Sequence, residues 1–547
     1  MKHTPILTSA LMRQCDEYTI QKLGIPSQVL MERAAQGVVN YLKLFSDLFP
    51  AQDRILVLCG SGNNGGDGFA VARLLVEQGK RRVSICYVGR MTGDGLPDKT
   101  RMSMECARQY EKALACGIPT ATFSEADTYL RQADLVVDAM LGIGLDRPVE
   151  GNLAALITAV NASGKPVLAV DIPSGIHGDT GHIMGMAVKA TATVTMQALK
   201  QGLLLYPGAD HAGELCICDI GVDLTPAAQC RVHLADHALI REVLPPRARR
   251  THKGTYGRLA LVCGSHGMAG AAILAAKGAL RSGAGLLQVI TPVCNRTVLQ
   301  AAIPEAILSC YNSENPVLKN LTAAIKDADG LVIGCGLGTS SVSLTILETL
   351  LSVCPVRTDF PVILDADALN LIAKHPRLWE TQLLTDGAAQ VILTPHPAEM
   401  SRLTGASLAS ILQNPVDAAV SLAKERGVTV LLKDAHTVIA SPDGSIYISP
   451  FGNAGMAKGG SGDVLAGVLG AVAVQNRHRI PGELTYAGIA AAAAALHGMA
   501  GDLAAHEWGE ISMTPSELAD AISKVTQRLS HTRTHISYGI SLSDSGT

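Results

Sequence analysis

Short runs of valine, isoleucine and leucine alternate with amphipathic stretches along the whole chain. In the first half RILVLCG (Arg54 to Gly60) precedes FAVARLLVEQG, and ADLVVDAM and KPVLAVDIP follow. GRLALVCGS, DGLVIGCG, PVILDAD, QVILTPHP and VTVLLKD continue the rhythm in the second half. Runs that are apolar at every position, not at alternate ones, belong to strands covered on both faces, so both halves read as doubly wound parallel sheets flanked by helices. The rhythm breaks at VLPPRARRTHKG (Val243 to Gly254), where a proline pair and an arginine cluster suit an exposed connection. The expected fold class is therefore α/β. A first domain spans 1–230, a connecting region falls within 231–250, a second domain spans 238–528, and 529–547 form a polar, aperiodic tail expected to be disordered.

Composition narrows the partners. A chain of 547 residues exceeds the length at which one hydrophobic core stops growing, about 250 to 300 residues, so two domains are the default. Lys and Arg total 45 against 48 Asp and Glu, and the resulting charge of -3 gives no electrostatic reason to expect a nucleic acid or an anionic membrane. Small molecules are the expected partners. The 13 cysteines are scattered, with only Cys216 and Cys218 close together, and read as reduced thiols of a cytoplasmic protein. The N-terminus carries Arg13, Asp16 and Glu17 and so has no signal-peptide core, while the Ala-rich stretch Ile489 to Leu496 is too short for a membrane span. Folds of this class commonly form symmetric assemblies, so a homo-oligomer is expected.

Chemistry gathers at strand ends. SGNNGGDG (Ser61 to Gly68) follows the first apolar run, and Asn63 to Gly68 is expected to be a loop before a helix that begins near Phe69. Its glycines let backbone approach a ligand and offer N–H groups to phosphate; the amides of Asn63 and Asn64 offer neutral oxygen to a monovalent cation or a sugar hydroxyl. Asp138 ends a second strand before GIGLDRP (Gly142 to Pro148), and Asp171 ends a third before IPSG. Any one of these aspartates could be a helix cap, but three such ends converge on the crevice where open α/β sheets bind ligands. In the second half, GGSGDVLAGVLGAV (Gly459 to Val472) puts a glycine-rich turn at a helix start with Asp463 in its first turn. That arrangement offers backbone donors to a transferring phosphoryl group, and a carboxylate to an attacking hydroxyl.

NNGGDG, VVDAMLGIGLDRPVEG, AVDIPSGI and MQALKQGL resemble the epimerase domain of NAD(P)H-hydrate repair enzymes, which has a Rossmann-like fold. The resemblance implies a potassium ion on Asn64, Asp138 and Ser174. It implies hydrated nucleotide along Asn63, Asn64, Gly65, Gly66 and Asp67 and along Gly142, Ile143, Gly144, Leu145, Asp146, Arg147 and Pro148. Catalysis would fall to Asp171, assisted by Lys200 unless that lysine lies on the surface. HKGTYGRLALVCGS, GMAGAAILAAKGALRSGAG, GCGLG, LDADALN, TPHPAEM and LLKDAHTVIA, with the GSGD turn, resemble the ribokinase-like dehydratase domain of the same system. Here the resemblance implies that Ala271, Gly336 or Gly338, His396 and Asp463 contact the hydrate, with His396 alternatively satisfied in its Pro-flanked turn. Lys433, Asp434, Ala435, His436, Thr437 and Gly462 would hold ADP or ATP, with Mg²⁺ on the nucleotide oxygens and Asp463 as the base.

The implied function is epimerisation of hydrated NADH and NADPH, and dehydration of the S form at the expense of ADP or ATP. Three departures from the family pattern bear on nucleotide handling: Asp434 and Ala398 stand where glycine is usual, and Cys335 where proline is usual. Two other readings stay open on the residues alone. One is an ATP-dependent kinase of a small alcohol; the other makes the first domain a noncatalytic binding module.

Overall fold

The computed structural model describes residues 3–531 except 46, 50–52, 80–81, 313–321, 324, 386–389 and 481–482. Two compact units emerge, one over residues 5–230 and one from 231 onward that also takes in residues 3 and 4. In the first unit, strand β1 (Ile6–Leu7) pairs in parallel with β8 (Leu199–Lys200) in a small two-stranded sheet. The main sheet holds β2 (Arg54–Cys59), β3 (Arg82–Tyr87), β4 (Thr120–Ala121), β5 (Leu135–Ala139), β6 (Val167–Val170), β7 (Ala192–Met196) and β9 (Glu214–Cys218). Its order is β4-β3-β2-β5-β6-β7-β9, parallel throughout. The order reverses beside β2, so a crevice opens at the carboxyl ends of β2 and β5, where such sheets bind ligands. β5, β6 and β7 are buried at every position, in keeping with their continuous apolar runs.

The second unit is built on a ten-stranded sheet: β10 (Val232–Leu234), β11 (Arg258–Val262), β12 (Leu286–Pro292), β13 (Ile307–Tyr311), β14 (Gly330–Ile333), β15 (Val362–Leu364), β16 (Val391–Leu393), β17 (Thr429–Leu432), β18 (Thr437–Ala440) and β19 (Ile446–Ser449). Its order is β10-β19-β18-β17-β16-β15-β14-β11-β12-β13, and only the β17-β18 and β18-β19 pairs are antiparallel. Both sheets have the α/β layering that the sequence implies: Rossmann-like first, ribokinase-like second.

Several boundaries differ from the sequence reading. The helix after β2 begins at Asn63 and runs Asn63–Glu77, so the expected Asn63 to Gly68 loop is its first turns. None of these glycines has a positive φ; they serve close packing instead. A Cβ on Gly65 would lie 2.0 Å from the Gly60 carbonyl oxygen, and one on Gly68 would lie 2.6 Å from the Ala139 Cβ. The expected connection over 231–250 contains β10 and the helix His237–Val243, whose Leu239, Ile240 and Val243 enter the core. Three apolar positions at helical spacing outweigh the local charge there. At the other end the helix Pro515–His531 runs into the expected tail, and 532–547 lie outside the described residues.

The Ala-rich segment belongs to a 23-residue helix, Tyr486–Trp508, long and apolar enough by composition to cross a membrane, and not the short piece its alanines suggest. Its most apolar window is 89% buried inside the protein. All 13 cysteines are free thiols.

Candidate active sites

The first site lies at the carboxyl ends of β2, β5 and β6, beside a cavity of about 810 Å³. Ser61, Gly62, Asn63, Asn64 and Asp67 form one wall, and Leu141 to Arg147 another. No side chain caps the N-terminus of the helix Asn63–Glu77, and Gly62 stands at the cap position, so its first N–H groups are available to an anion. Of the residues assigned to substrate, Gly65, Gly66 and Pro148 do not line the cavity. Gly65 and Gly66 face inward as packing glycines, and Pro148 is exposed to solvent.

Asn64, Asp138 and Ser174 are brought together. Asp138 is fully buried at the end of β5; Ser174 donates to it twice, from Oγ to Oδ1 at 2.6 Å and from N to Oδ2 at 2.8 Å. Burial pushes its carboxyl up to about 6 despite those two donors. Asn64 Nδ2 donates to the Leu141 carbonyl at 2.9 Å, which leaves the buried Asn64 Oδ1 without a hydrogen-bond partner among the described residues. An orphaned amide oxygen beside a desolvated carboxylate and a hydroxyl fits a weakly hydrated monovalent cation.

Asp171 and Lys200 form the second group at this cavity. Asp171 sits at φ 67°, in the left-handed region that non-glycine residues rarely enter, and this turns its side chain toward β7. Its Oδ1 accepts from Met196 N at 3.0 Å, Thr195 Oγ1 at 3.2 Å and Lys200 Nζ at 2.5 Å. Lys200 is 1% exposed, fixed by β1-β8 pairing, and also donates to the Met196 carbonyl at 2.7 Å and to Thr195 Oγ1 at 3.0 Å. A surface lysine is therefore ruled out. Asp67 also faces this cavity, and burial first, then the charges of Asp171 and Asp16, push its carboxyl well above the usual range. Asp16, on the helix Ser9–Gln21, lines the same space. Sequence reading missed it, because one carboxylate on an amphipathic helix looks like a solvated face.

The second site lies around the start of the helix Ser461–Asn476, after Gly460 at φ 108°. That helix packs against Ala269–Arg281 through glycine: a Cβ on Gly467 would lie 1.9 Å from the Ala275 carbonyl oxygen, and one on Gly278 2.4 Å from that of Val464. The contact brings Ala271 beside Gly336, whose φ of 59° and missing Cβ both matter, since a Cβ would lie 2.7 Å from that of Ala271. Asp463, Asp365 and Cys335 have ligand atoms within 4.8 Å of one another. Burial and then the Asp365 charge push the Asp463 carboxyl up to about 6, while Cys335 and Lys433 act in the opposite sense.

Lys433 Nζ donates to Asp365 Oδ1 at 2.7 Å and lies 3.6 Å from where a Gly462 Cβ would stand. Burial alone would lower the Lys433 pKa, but Asp365 and Glu399 raise it overall. Asp434 and Ala435 are exposed in the hairpin turn between β17 and β18; Asp434 Oδ1 accepts from Ala435 N at 2.8 Å, so its charge is turned to solvent and its own backbone. His436 lies in the same turn, and Thr437 opens β18. Gly338, at φ 77°, donates its N–H to Asp367 Oδ2 at 2.8 Å.

His396 caps the helix Pro397–Thr404, its Nδ1 accepting from Ala398 N at 3.1 Å and Glu399 N at 3.4 Å. Only Nε2 is left to carry a proton, 3.5 Å from Glu399 Oε1. Burial holds its pKa below the usual value. Asp365, the partner of Lys433, was also missed, although it ends β15 just as Asp138 and Asp171 end their strands. Among the three atoms that could meet a metal, the carboxylates of Asp365 and Asp463 suit Mg²⁺ and the sulfur of Cys335 does not.

A Rossmann-like sheet with a strand-end acid and buried lysine, joined in one chain to a ribokinase-like sheet with a glycine-rich helix start and nearby aspartates, defines a two-domain enzyme of small-molecule chemistry. Comparison with known proteins gives the family. The model for YjeF-related protein N-terminus matches residues 27–202, and that for NAD(P)H-hydrate dehydratase matches 259–524. The bifunctional NAD(P)H-hydrate repair enzyme Nnr of Moorella thermoacetica is 37% identical over 96% of this chain and 97% of its own; that of Escherichia coli is 33% identical over 94% and 92%. A solved ADP/ATP-dependent NAD(P)H-hydrate dehydratase from Bacillus subtilis, co-crystallised with ATP/Mg²⁺, is 30% identical, covering 54% of this chain and 98% of that chain with a TM-score of 0.45. The chain belongs to the bifunctional NAD(P)H-hydrate repair enzymes, which pair an epimerase with a dehydratase.

Proposed function

We propose that the cavity of the first unit epimerises hydrated NADH and NADPH, and that the glycine-rich helix start of the second unit dehydrates the S form with ADP or ATP. The observation that carries the first assignment is the buried Asp171–Lys200 ion pair opening on a nucleotide-sized cavity beside an uncapped helix N-terminus. The helix end receives the pyrophosphate, and Asp171 holds or takes a proton at the hydroxyl-bearing ring carbon. Asn64, Asp138 and Ser174 would hold K⁺, which when bound neutralises the desolvated carboxylate of Asp138.

In the second unit Asp463 takes the proton from the hydrate's hydroxyl as that oxygen attacks the terminal phosphoryl group of the nucleotide. AMP leaves from ADP, or ADP from ATP. The C–O bond then breaks with phosphate as leaving group, a proton leaves the neighbouring ring carbon, and the dihydronicotinamide double bond is restored. Hydroxide leaves poorly and phosphate leaves well, which is why a dehydration consumes a nucleotide. Gly462 and Lys433, adjacent at the helix start, would meet the transferring phosphoryl, and Ala435, His436 and Thr437 the rest of the nucleotide. Mg²⁺, with Asp365 as the available carboxylate beside the base, would neutralise phosphate charge when bound. Ala271, Gly336, Gly338 and the Nε2 proton of His396 would contact the hydrate. A symmetric homo-oligomer and a cytoplasmic location complete the reading.

Two variants test the assignments separately. Asp171→Asn is expected to lose conversion of the R form by about 100-fold or more while the S form is still dehydrated; Asp463→Asn is expected to keep epimerisation and lose nucleotide-dependent recovery. Full activity of either variant in the step assigned to it would refute that assignment. For K⁺, wild type is expected to melt at a higher temperature in KCl than in NaCl, with Asn64→Ala removing the difference.

A further inference from the structure

Five carboxylates line the epimerase cavity: Asp171 and Glu105 have partners, Asp146 is exposed to solvent, and Asp16 and Asp67 stand apart. Asp171 is paired with Lys200, while Asp16 and Asp67 accept no hydrogen bond from any described residue. Asp16 comes from a helix and not from the sheet: Met12, Asp16 and Ile20, four residues apart on Ser9–Gln21, all line the cavity. Arg13 on the same helix also lines the cavity but is exposed, whereas Asp16 is half-buried with no hydrogen-bond donor, and such a carboxylate costs desolvation with no structural return.

We propose that Asp16 is the second proton carrier of the epimerisation, working with Asp171 from a different wall of the cavity. The chemistry asks for two such groups. The inverted carbon bears a hydroxyl and is bonded to the ring nitrogen, so the nitrogen lone pair can expel the hydroxyl. The C–O bond breaks, the oxygen takes a proton from the Asp16 carboxyl and leaves as water, and the ring becomes a cation. Water then adds to the same carbon from the other face and gives its proton to Asp171. No water is consumed, and one donor has lost the proton that one acceptor has gained. The reverse reaction exchanges the two roles.

The electrostatics agree. Burial pushes Asp16 up to about 6; Asp171 and Glu17 add to this and Lys200 opposes it, so Asp16 can give and take a proton near neutrality. Asp67 is pushed well above the usual carboxylate range by burial first and then by the charges of Asp171 and Asp16. Asp16 and Asp67 both feel the Asp171 charge and the Lys200 ammonium, with the exposed Arg13 and Arg147 also lining the cavity, and the two cannot both ionise cheaply.

This inference rests on the assignment of the cavity as the epimerase site, so Asp171→Asn is measured alongside. The assay follows conversion of purified R hydrate to S by the full chain without nucleotide. Asp16→Asn is expected to lower kcat at least 100-fold with KM within threefold, which only a folded cavity gives, and its remaining rate should lose the alkaline limb of the pH profile. Added acetate is expected to restore part of the rate to Asp16→Ala. If Asp171→Asn is inactive while Asp16→Asn stays within fivefold of wild type, or loses only KM, or if acetate leaves Asp16→Ala unrescued, the role of Asp16 is overturned. If Asp171→Asn itself keeps full turnover, the cavity assignment fails first, and the role of Asp16 with it.

Discussion

Asp463 must be ionised to accept a proton, and its carboxyl is held at about 6 by burial and by Asp365. The group is protonated below that value, so dehydration is expected to rise about tenfold per pH unit up to about pH 6 and then level off, read as kcat at saturating nucleotide. Cys335, a buried thiol that donates to Asp365 Oδ2 at 3.6 Å, also pulls Asp463 in the ionising direction. Cys335→Ala is therefore expected to move the acid limb to higher pH and Cys335→Ser to move it less; an unmoved limb in both would show that the thiol has no part. Most of these residues are legible in sequence, because an aspartate that ends a fully apolar run sits at the ligand edge of a parallel sheet: Asp138 and Asp171 were found this way. The same rule reaches Asp365, which was overlooked. Asp16 has no such marker, since only the folded cavity tells an inward carboxylate on a helix from an outward one.

At the scale of the element, glycine carries two different duties that look alike in sequence. Gly467 sits where the helix Ser461–Asn476 crosses Ala269–Arg281, with no room for a Cβ, whereas a Cβ on Gly462 would make ordinary contact with Lys433 Nζ. Gly467→Ala is expected to destabilise the second unit by about 1–3 kcal/mol, seen as a lower melting temperature. Gly462→Ala is expected to melt like wild type yet bind nucleotide more weakly, as nucleotide titration would reveal. Equal melting losses in the two would contradict this division. The first-unit stretch NNGGDG misleads for the same reason: its glycines read as a loop but form helical turns packed against β2 and β5. The connection near residue 240 misleads in the opposite way, because a proline pair and arginines mask three core positions just before them.

For the whole molecule, the continuous apolar runs carry the architecture, and nearly every one that the sequence displays is a buried parallel strand. Strand order and the antiparallel β17-β18-β19 edge are not readable, since they depend on which runs find each other and not on any run alone. Why one chain holds both activities follows from chemistry: a dehydratase that takes the S form leaves the R form stranded unless something inverts it. The serial action of these two sites on one damaged cofactor is a proposal. It is tested most directly by giving the full chain a mixture of R and S hydrates of NADH with K⁺, Mg²⁺ and ADP or ATP, and following the return of dihydronicotinamide absorbance. Complete nucleotide-dependent recovery of both forms, falling to the S fraction alone in Asp171→Asn, is the result predicted; no recovery with either nucleotide would contradict the account.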